Sequence, residues 1–235
     1  MEKAKDNHYP GRELEAMSFA FNYHKWIVDE LTPYLGQNVV EVGAGVGNLS
    51  SMLLQTSLDH LYAFEPASNL FPLIGETLAG RSRVTAVNAF FDAKHVPDAI
   101  DSILYINVLE HIEDDAAELV CARHALRTGG YLLLFVPALQ WLYSKADTEL
   151  GHFRRYRMSD LLGLVEKTGF AVEKHRHFDV AGILPWYVNF VLLKNTFKPG
   201  SVALYDKLVV PPMRVIEKYF NPPIGKNLLV IAKKI

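Results

Sequence analysis

The feature that most constrains the fold is the stretch VVEVGAGVGNLS at 39–50. A short apolar run carries one acid, Glu41, and gives way to glycines that alternate with other residues, namely Gly43, Gly45 and Gly47. This order predicts a buried strand, a tight turn and a helix that begins near Asn48. Glycines let the backbone approach a ligand with no Cβ in the way. We therefore expect a ligand-binding loop at the carboxyl end of the first strand of a parallel sheet.

The glycine spacing bears on which ligand this loop binds. The dinucleotide fingerprint G-x-G-x-x-G would require a glycine at position 48, where Asn48 stands. The pattern here, E-x-G-x-G-x-G, resembles the first motif of the class I S-adenosylmethionine-dependent methyltransferases. In that family the loop holds the methionine end of the cofactor, so no lysine for a phosphate is expected. None occurs between Glu41 and Leu54.

A second string, DSILYINVLEHIEDD at 101–115, resembles the fourth-strand motif of the same family. Two linked motifs make the resemblance specific. It implies an α/β fold with a doubly wound, mostly parallel, seven-stranded sheet. It also implies that Asn107, Val108 and Leu109 line the methionine end of the cofactor, and that Glu110 and His111 lie near the transferred methyl group.

Glu65 ends the second predicted strand, 60–65, and follows Gly43 by 22 residues. A carboxylate offers two oxygens to the vicinal hydroxyls of a ribose, which suits an acid at this position. Adenosylmethionine and NAD share that ribose, so Glu65 does not separate the two cofactors. Phe90 and Phe91 follow the third predicted strand, where one ring could stack on the adenine, and Asp92 could accept a hydrogen bond from its amine.

The resemblance extends to the helix before the first strand, where Tyr23 could reach the cofactor carboxylate. The full set of predicted cofactor-binding residues is Tyr23, Glu41, Gly43, Ala44, Gly45, Gly47, Asn48, Glu65, Pro66, Phe90, Phe91, Asp92, Asn107, Val108 and Leu109.

Three residues are candidates for catalysis: His111, His152 and Tyr156. An imidazole with an ordinary pKa near 6.5 suits a general base at neutral pH, although His111 could equally anchor its loop. The other two lie in GHFRRYRMSDL at 151–161, in a long loop expected at the same sheet edge. Its cations could clamp an anionic acceptor, or pair with acids of a solvated loop. This segment loosely resembles a bacterial methyltransferase subgroup associated with glycan or lipid modification.

The chain is expected to form a single domain over 1–235, with two additions to the sheet. Residues 1–35 predict a helical segment over the cofactor site, behind a loose arm at 1–11. Residues 180–220 are apolar and aromatic and separate the last two predicted strands, 170–178 and 226–233, which in this family pair as a hairpin. We expect a helical cap that builds an acceptor pocket. A homodimer interface and a peripheral contact with lipid headgroups are the alternatives.

Local signals also give element boundaries. They predict helices at 48–56, 69–79 with Ser68 or Asn69 as its cap, 113–127 and 160–168. They predict further strands at 84–89, 101–108 and 131–138.

Composition limits the partners. A formal charge of −2 and a pI near 6.5 give no global attraction to nucleic acid. A single cysteine, Cys121, suits a reducing compartment, and the charge-free runs fall short of the roughly 20 residues of a bilayer span. We expect a cytoplasmic protein with no transmembrane segment. No metal-ligand spacing is recognisable, so a metal-independent reaction is expected.

The function that these features predict is transfer of a methyl group from S-adenosylmethionine to a small-molecule acceptor, lipid-like or saccharide-linked, leaving S-adenosylhomocysteine. An NAD-dependent oxidoreductase is the first alternative, and Asn48 and the LEH string argue against it. A non-catalytic adenosylmethionine-binding protein is the second. A methyltransferase acting on RNA or protein is a third, disfavoured by the near-neutral charge.

Overall fold

The computed structural model describes residues 8–9, 11, 17–195 and 199–235. Seven strands form one sheet: β1 Asn38–Val42, β2 His60–Phe64, β3 Val84–Val87, β4 Ile100–Ile106, β5 Leu126–Pro137, β6 Phe170–Phe178 and β7 Asn227–Lys234. The described helices are α1 Phe21–Leu31, α2 Asn48–Leu53, α3 Phe71–Thr77, α4 Asp115–Ala125, α5 Lys145–Leu150, α6 Met158–Lys167, α7 Ile183–Trp186, α8 Pro199–Leu208 and α9 Val210–Tyr219. Within the described ranges, no helix is long and apolar enough to cross a membrane.

The strand order across the sheet is β3-β2-β1-β4-β5-β7-β6. The first five strands are parallel, and β7 runs antiparallel between β5 and β6. This confirms the predicted doubly wound, mostly parallel fold. The order reverses between β1 and β4, so the carboxyl ends of these strands flank a crevice of the kind that binds ligands in open α/β sheets.

Both faces of the sheet are covered, as the continuous apolar runs of its central strands require. On one face Leu104 and Leu133 pack with the helices α1, α2 and α3 in one buried cluster. On the other face Ile103 and Leu132 pack with α4 and α6 in a second cluster. Buried side chains on both faces of the sheet therefore hold β1 and β4 in place.

Several boundaries differ from those predicted. The fourth helix ends at Ala125, two residues early, because β5 already begins at Leu126 and Arg127 pairs with Asp101 across the strands at 2.6 Å. No side chain caps α3, so the predicted cap at Ser68 or Asn69 is wrong. Asn69 instead exchanges hydrogen bonds with the backbone of Tyr9.

The helical insertion predicted between the last two strands is present as α7, a wider helical turn at Tyr187–Leu192, α8 and α9. The insertion is tied to the N-terminal side of the molecule by one buried acid. The carboxylate of Asp206 on α8 accepts hydrogen bonds from the backbone N–H groups of Asn22 and Tyr23, at 3.0 and 2.8 Å. These are first-turn donors of α1, whose own N-cap residue, Ala20, has no side-chain acceptor.

The predicted N-terminal segment 1–35 is described only in part. The arm at 1–11 and the start of the expected helix fall largely on residues 1–7, 10 and 12–16, which lie outside the described residues.

Candidate active site

Two cavities meet at the glycine loop, at the carboxyl edge of β1, β2 and β4. The inner cavity has a volume of about 220 Å³ and is lined by both the glycine loop and the insertion, including Glu41, Gly43, Ala44, Gly45, Asn48, Asn107, Glu110, His111, His152, Arg155 and Trp186. The outer cavity, of about 460 Å³, extends over β2 and is lined by residues including Gly45, Glu65, Pro66, Phe90, Phe91, Asn107, Val108 and His111.

The glycine loop is held close to the neighbouring strands. The N–H groups of Gly43 and Ala44 both donate to the Phe64 carbonyl, at 2.8 and 2.9 Å. Gly43 has a φ of +72°, and a Cβ at this position would lie 2.5 Å from a methyl carbon of Val108. A side chain there would therefore strain the backbone and displace Val108 from the wall of the outer cavity.

Gly47 has a different role from the one predicted. It has a φ of +84° where α2 begins, and it does not appear among the described residues that line either cavity. Its importance in this structure is to turn the chain into the helix.

Glu65 lies where the sequence placed it, at the end of β2 and in the wall of the outer cavity. One carboxylate oxygen accepts the Gly45 N–H and the other accepts the Ala67 N–H, each at 2.8 Å. Burial raises the pKa of Glu65, and these two hydrogen bonds oppose the rise. Each oxygen retains acceptor capacity, so the carboxylate can also bind a vicinal diol.

The two phenylalanines after β3 differ sharply in exposure. Phe91 is 6% exposed and packs edge-on against Phe64, with ring centroids 5.3 Å apart, whereas Phe90 is 67% exposed. Both line the outer cavity. Asp92 does not appear in the described lining, because its carboxylate accepts the Lys94 N–H and pairs with the Lys94 ammonium at 2.6 Å. The contact of Asp92 with the adenine stays a prediction.

The β4 motif is divided between the cavities and the core. Asn107 adopts a φ of +53°, its N–H donates to the Phe135 carbonyl at 2.8 Å, and it lines both cavities. Val108 lines the outer cavity. Leu109, predicted at the cofactor, is fully buried in the second core cluster and does not appear in the described lining of either cavity.

Glu41 lies beneath the glycine loop, 3% exposed, and borders the inner cavity. Its carboxylate accepts a hydrogen bond from the Ser50 hydroxyl at 2.5 Å. Burial is the main cause that raises the pKa of Glu41 to about 8. A carboxyl group with this pKa is largely protonated, and therefore neutral, at pH 7.

Tyr23, predicted at the cofactor carboxylate, lines the inner cavity but is also a core residue. Its ring packs edge-on against Trp26, Phe135 and Phe178, and its hydroxyl donates to Asn227 Oδ1 at 3.1 Å. Burial raises the pKa of Tyr23 well above its ordinary value, so the phenol stays neutral.

Two of the three catalytic candidates meet at the end of the inner cavity. The rings of His111 and His152 lie edge to face, with centroids 4.6 Å apart. Burial, with a further contribution from His152, lowers the pKa of His111 to about 4. An imidazole with this pKa is almost entirely neutral at pH 7 and is a poor general base. This favours a role as a hydrogen-bond acceptor or a ligand.

The third candidate, Tyr156, does not join them. Its hydroxyl donates to the Asp115 carboxylate at 2.8 Å on the far side of β5, and Tyr156 does not appear in the described cavity lining. Three cations of this loop are paired within the chain: Arg154 with Asp115 at 2.6 Å, Arg155 with Asp147 at 2.8 Å, and Lys145 with Glu149 at 3.1 Å. Arg157 has no ion-pair partner among the described residues. The geometry favours an internally tied loop over an anion clamp.

Several residues that border the cavities were not in the predicted set. They include Tyr9, Glu110, Arg155, Trp186, Lys226 and Asn227. Glu110 and Arg155 lie in motif segments that the sequence marked as functional, and Tyr9 and Trp186 lie in the segments 1–35 and 180–220 that it placed near the site. The others come from the start of β7, and no local motif distinguishes them.

A third cavity, of about 490 Å³, lies beneath the insertion and shares Met17, Tyr23, Trp186 and Lys226 with the inner cavity. Its remaining wall is mostly apolar and includes Ala20, Pro185, Phe190, Val202, Leu204, Tyr205, Leu208 and Val209. We call it the apolar cavity. The shared residues place the apolar cavity next to the inner cavity, and Glu65 is not in its described lining.

Comparison with known proteins agrees with this geometry. A family model described as a methyltransferase domain matches residues 7–175. An uncharacterised methyltransferase of Bacillus mycoides is 26% identical over 130 residues, which are 54% of this chain and 59% of that relative. The chain thus matches little more than half the length of the curated relatives.

Solved structures agree at the level of the fold. A Haloferax volcanii methyltransferase, solved with its Trm112 activator, superposes with a TM-score of 0.64 at 10% identity, covering 98% of this chain and 99% of the other. Phosphoethanolamine N-methyltransferase 2 of Haemonchus contortus, solved with S-adenosylmethionine, gives a TM-score of 0.62 at 17% identity, covering 95% of this chain and 58% of the other. With the family match over residues 7–175, the chain belongs to the class I methyltransferase family.

Proposed function

We propose that the chain is an S-adenosylmethionine-dependent methyltransferase whose acceptor is a small, largely apolar molecule. The observation that carries the proposal is the placement of Glu65, the glycine loop and Asn107 around two joined cavities, with the apolar cavity opening onto the same point. The outer cavity suits a ribose and an aromatic base, and the apolar cavity suits an acceptor.

The residues present fit this cofactor. Glu65 would accept hydrogen bonds from the ribose hydroxyls, and Phe90 and Phe91 would flank the adenine in the outer cavity. Gly43 and Gly45 leave room for the methionine end, and Glu41 lies below it in the inner cavity. The cofactor would supply an electrophilic methyl group on its sulfonium.

The protein's part in such a reaction is alignment and exclusion of water. In-line transfer requires an acceptor atom held about 3 to 3.5 Å from the methyl carbon in a near-attack geometry. Trp186 and Lys226 stand where the apolar and inner cavities join, so they would position the acceptor. The insertion covers this junction and would keep it dry.

Calorimetric titration with S-adenosylmethionine, S-adenosylhomocysteine and NAD tests the cofactor assignment. We expect one equivalent of either adenosyl ligand to bind and NAD to bind far more weakly, because Asn48 replaces the third glycine of the dinucleotide fingerprint. Preferential binding of NAD would contradict the proposal.

Catalysis is tested separately, by incubating the protein with methyl-tritiated cofactor and panels of apolar alcohols, amines and lipid-linked acceptors. We expect label in the organic extract. A protein that binds the cofactor and labels no acceptor in any panel would instead support a non-catalytic binding protein.

A further inference from the structure

We propose that Glu110, His111 and His152 form a binding site for a divalent transition metal of the zinc class. One ligand atom from each residue lies within 4.8 Å of the other two. The group sits in the wall of the inner cavity. No spacing in the sequence shows it, because residue 152 is brought to residues 110 and 111 by the loop that follows β5.

The first observation that supports the metal site is the burial of Glu110. Its side chain is fully buried, and among the residues that the structure describes neither carboxylate oxygen has a hydrogen-bond partner. A buried carboxylate without partners is costly unless it takes up a proton or a cation neutralises it. The charge of Arg155 acts on Glu110, but Arg155 directs Nε to Asp147 and another nitrogen to the Ala138 carbonyl. Glu110 is therefore left to bind something else.

The second support is the orientation of His152. Its Nδ1 lies 3.1 Å from Asp147 Oδ1, so Nδ1 carries the proton and donates it to that carboxylate. In the neutral tautomer Nε2 offers a lone pair, 4.0 Å from Glu110 Oε1. Asp147 is itself fixed by Arg155 and by the Ser144 N–H. A carboxylate that orients a histidine in this way is the usual outer shell of a metal ligand.

The third support is His111, whose imidazole lies in the cavity wall with its ring centroid 4.6 Å from that of His152. Its Nδ1 lies near Gly151. Two imidazoles therefore lie beside the same unpartnered carboxylate. An ammonium ligand would need only the carboxylate, whereas two preset imidazoles and one carboxylate are the donor set of catalytic zinc sites.

Three protein ligands at a cavity wall leave a coordination position open toward the cavity. Metal–ligand distances of about 2.0 to 2.2 Å need the ligand atoms roughly 3 to 4 Å apart. The present atoms lie within 4.8 Å of one another, so metal binding would draw them closer. An acceptor carrying a hydroxyl could take the open position, which would select an oxygen nucleophile. This last step rests on the proposed function, but metal binding itself does not.

The test uses the full-length protein, stripped of metal by a chelator and titrated with Co²⁺ and Zn²⁺. We expect one equivalent of Co²⁺ to give visible d–d bands and one equivalent of Zn²⁺ to displace it. Glu110→Gln, which keeps the size of the side chain, should weaken Zn²⁺ binding by about 100-fold, and Asp147→Asn by about 10- to 100-fold through His152.

His124→Ala is the matched control, because His124 is exposed on α4, away from the cavity lining. It should leave Zn²⁺ affinity unchanged. Circular dichroism of each variant establishes that it is folded. Absence of a stoichiometric Co²⁺ spectrum in the wild-type protein, or a spectrum that persists unchanged in folded Glu110→Gln, would overturn the metal site. Binding of S-adenosylhomocysteine, measured on the same samples, separates that failure from a failure of the proposed function.

Discussion

At the scale of single residues, Glu65 gives the most direct test of the cofactor site. Replacing Glu65 by Ala removes the acceptor of the Gly45 N–H and the acceptor proposed for the ribose hydroxyls. We expect binding of S-adenosylhomocysteine to weaken by about 1 to 3 kcal/mol, the cost of losing hydrogen bonds to a charged group. Calorimetric titration measures this change. Glu76→Ala, an exposed acid on α3, serves as the control and should bind normally. Equal affinity of the two variants would remove Glu65 from the site.

Glu41 gives a prediction about pH. Its pKa is about 8 in the folded protein and near 4.5 when the chain unfolds. The folded state therefore holds the proton more tightly, so this group's stabilising contribution is complete below about pH 4.5. The contribution declines between about pH 4.5 and about pH 8. Over this range Glu41 is ionised in the unfolded chain but still protonated in the folded protein.

Glu41→Gln cannot ionise and can still accept the Ser50 hydrogen bond. We expect the cofactor-free variant to match the wild type in stability at pH 5 and to exceed it by about 2 to 4 kcal/mol at pH 9. Denaturant unfolding at pH 5, 7 and 9 measures the difference. Parallel stability curves for the two proteins would show that Glu41 ionises normally in the fold.

How much of the site the sequence could predict depends on how local each signal is. The glycine loop, Glu65 and Asn107 were predicted because each sits at a strand end in a short motif, and the parallel sheet brings strand ends to one edge. Leu109 and Tyr156 lie outside the described cavity lining, because neighbouring positions in a motif can point to opposite sides of the backbone. The meeting of Glu110 with His152 depends on the path of a loop, which no local pattern encodes.

At the scale of secondary-structure elements, α1 depends on a distant helix for its start. Ala20 offers no side-chain acceptor, and Asp206 on α8 accepts the first backbone N–H groups in its place. A sequence-based search for caps looks only a few residues upstream. This cap comes from more than 180 residues away and therefore could not be found.

Asp206→Ala should consequently loosen both elements at once. We expect a loss of about 1 to 3 kcal/mol in the free energy of unfolding, since two buried N–H groups lose their acceptor. Hydrogen exchange should increase at Asn22 and Tyr23 in particular. Lys207→Ala, the exposed neighbour on α8, is the control. Unchanged exchange at the start of α1 would mean that water replaces Asp206 at no cost.

At the scale of the whole molecule, the sheet and the insertion form different parts of the proposed site. The sheet, covered on both faces, fixes the cofactor-binding edge, while the insertion provides most of the wall of the apolar cavity. The insertion also exposes large apolar side chains, namely Leu204, Leu208, Val215, Ile216 and Phe220. The homodimer interface and the lipid contact suggested for this segment stay predictions, as does its role as a cap.

We therefore expect that one substitution can weaken the binding of an apolar probe without changing the binding of S-adenosylhomocysteine. Ser201 lies on the exposed first turn of α8 and lines the apolar cavity but not the inner or outer cavity. In Ser201→Trp the indole would occupy that cavity without disturbing the core. We expect a dansyl-labelled undecanoic acid, used as an apolar probe, to bind at least about tenfold more weakly, equivalent to about 1.4 kcal/mol. Affinity for S-adenosylhomocysteine should change by less than about twofold, because Glu65 and the glycine loop are untouched.

The matched control is Lys207→Trp, which adds the same ring to α8 at an exposed position outside the cavity lining. It should bind both ligands like the wild type, so any loss in Ser201→Trp reports on the cavity and not on the added indole. Fluorescence titration gives the probe affinity, and calorimetry gives the cofactor affinity. If Ser201→Trp weakened both ligands equally, the apolar cavity and the cofactor site would form one coupled unit. If it weakened neither, the probe would bind elsewhere, and the acceptor would have to reach the inner cavity by another route.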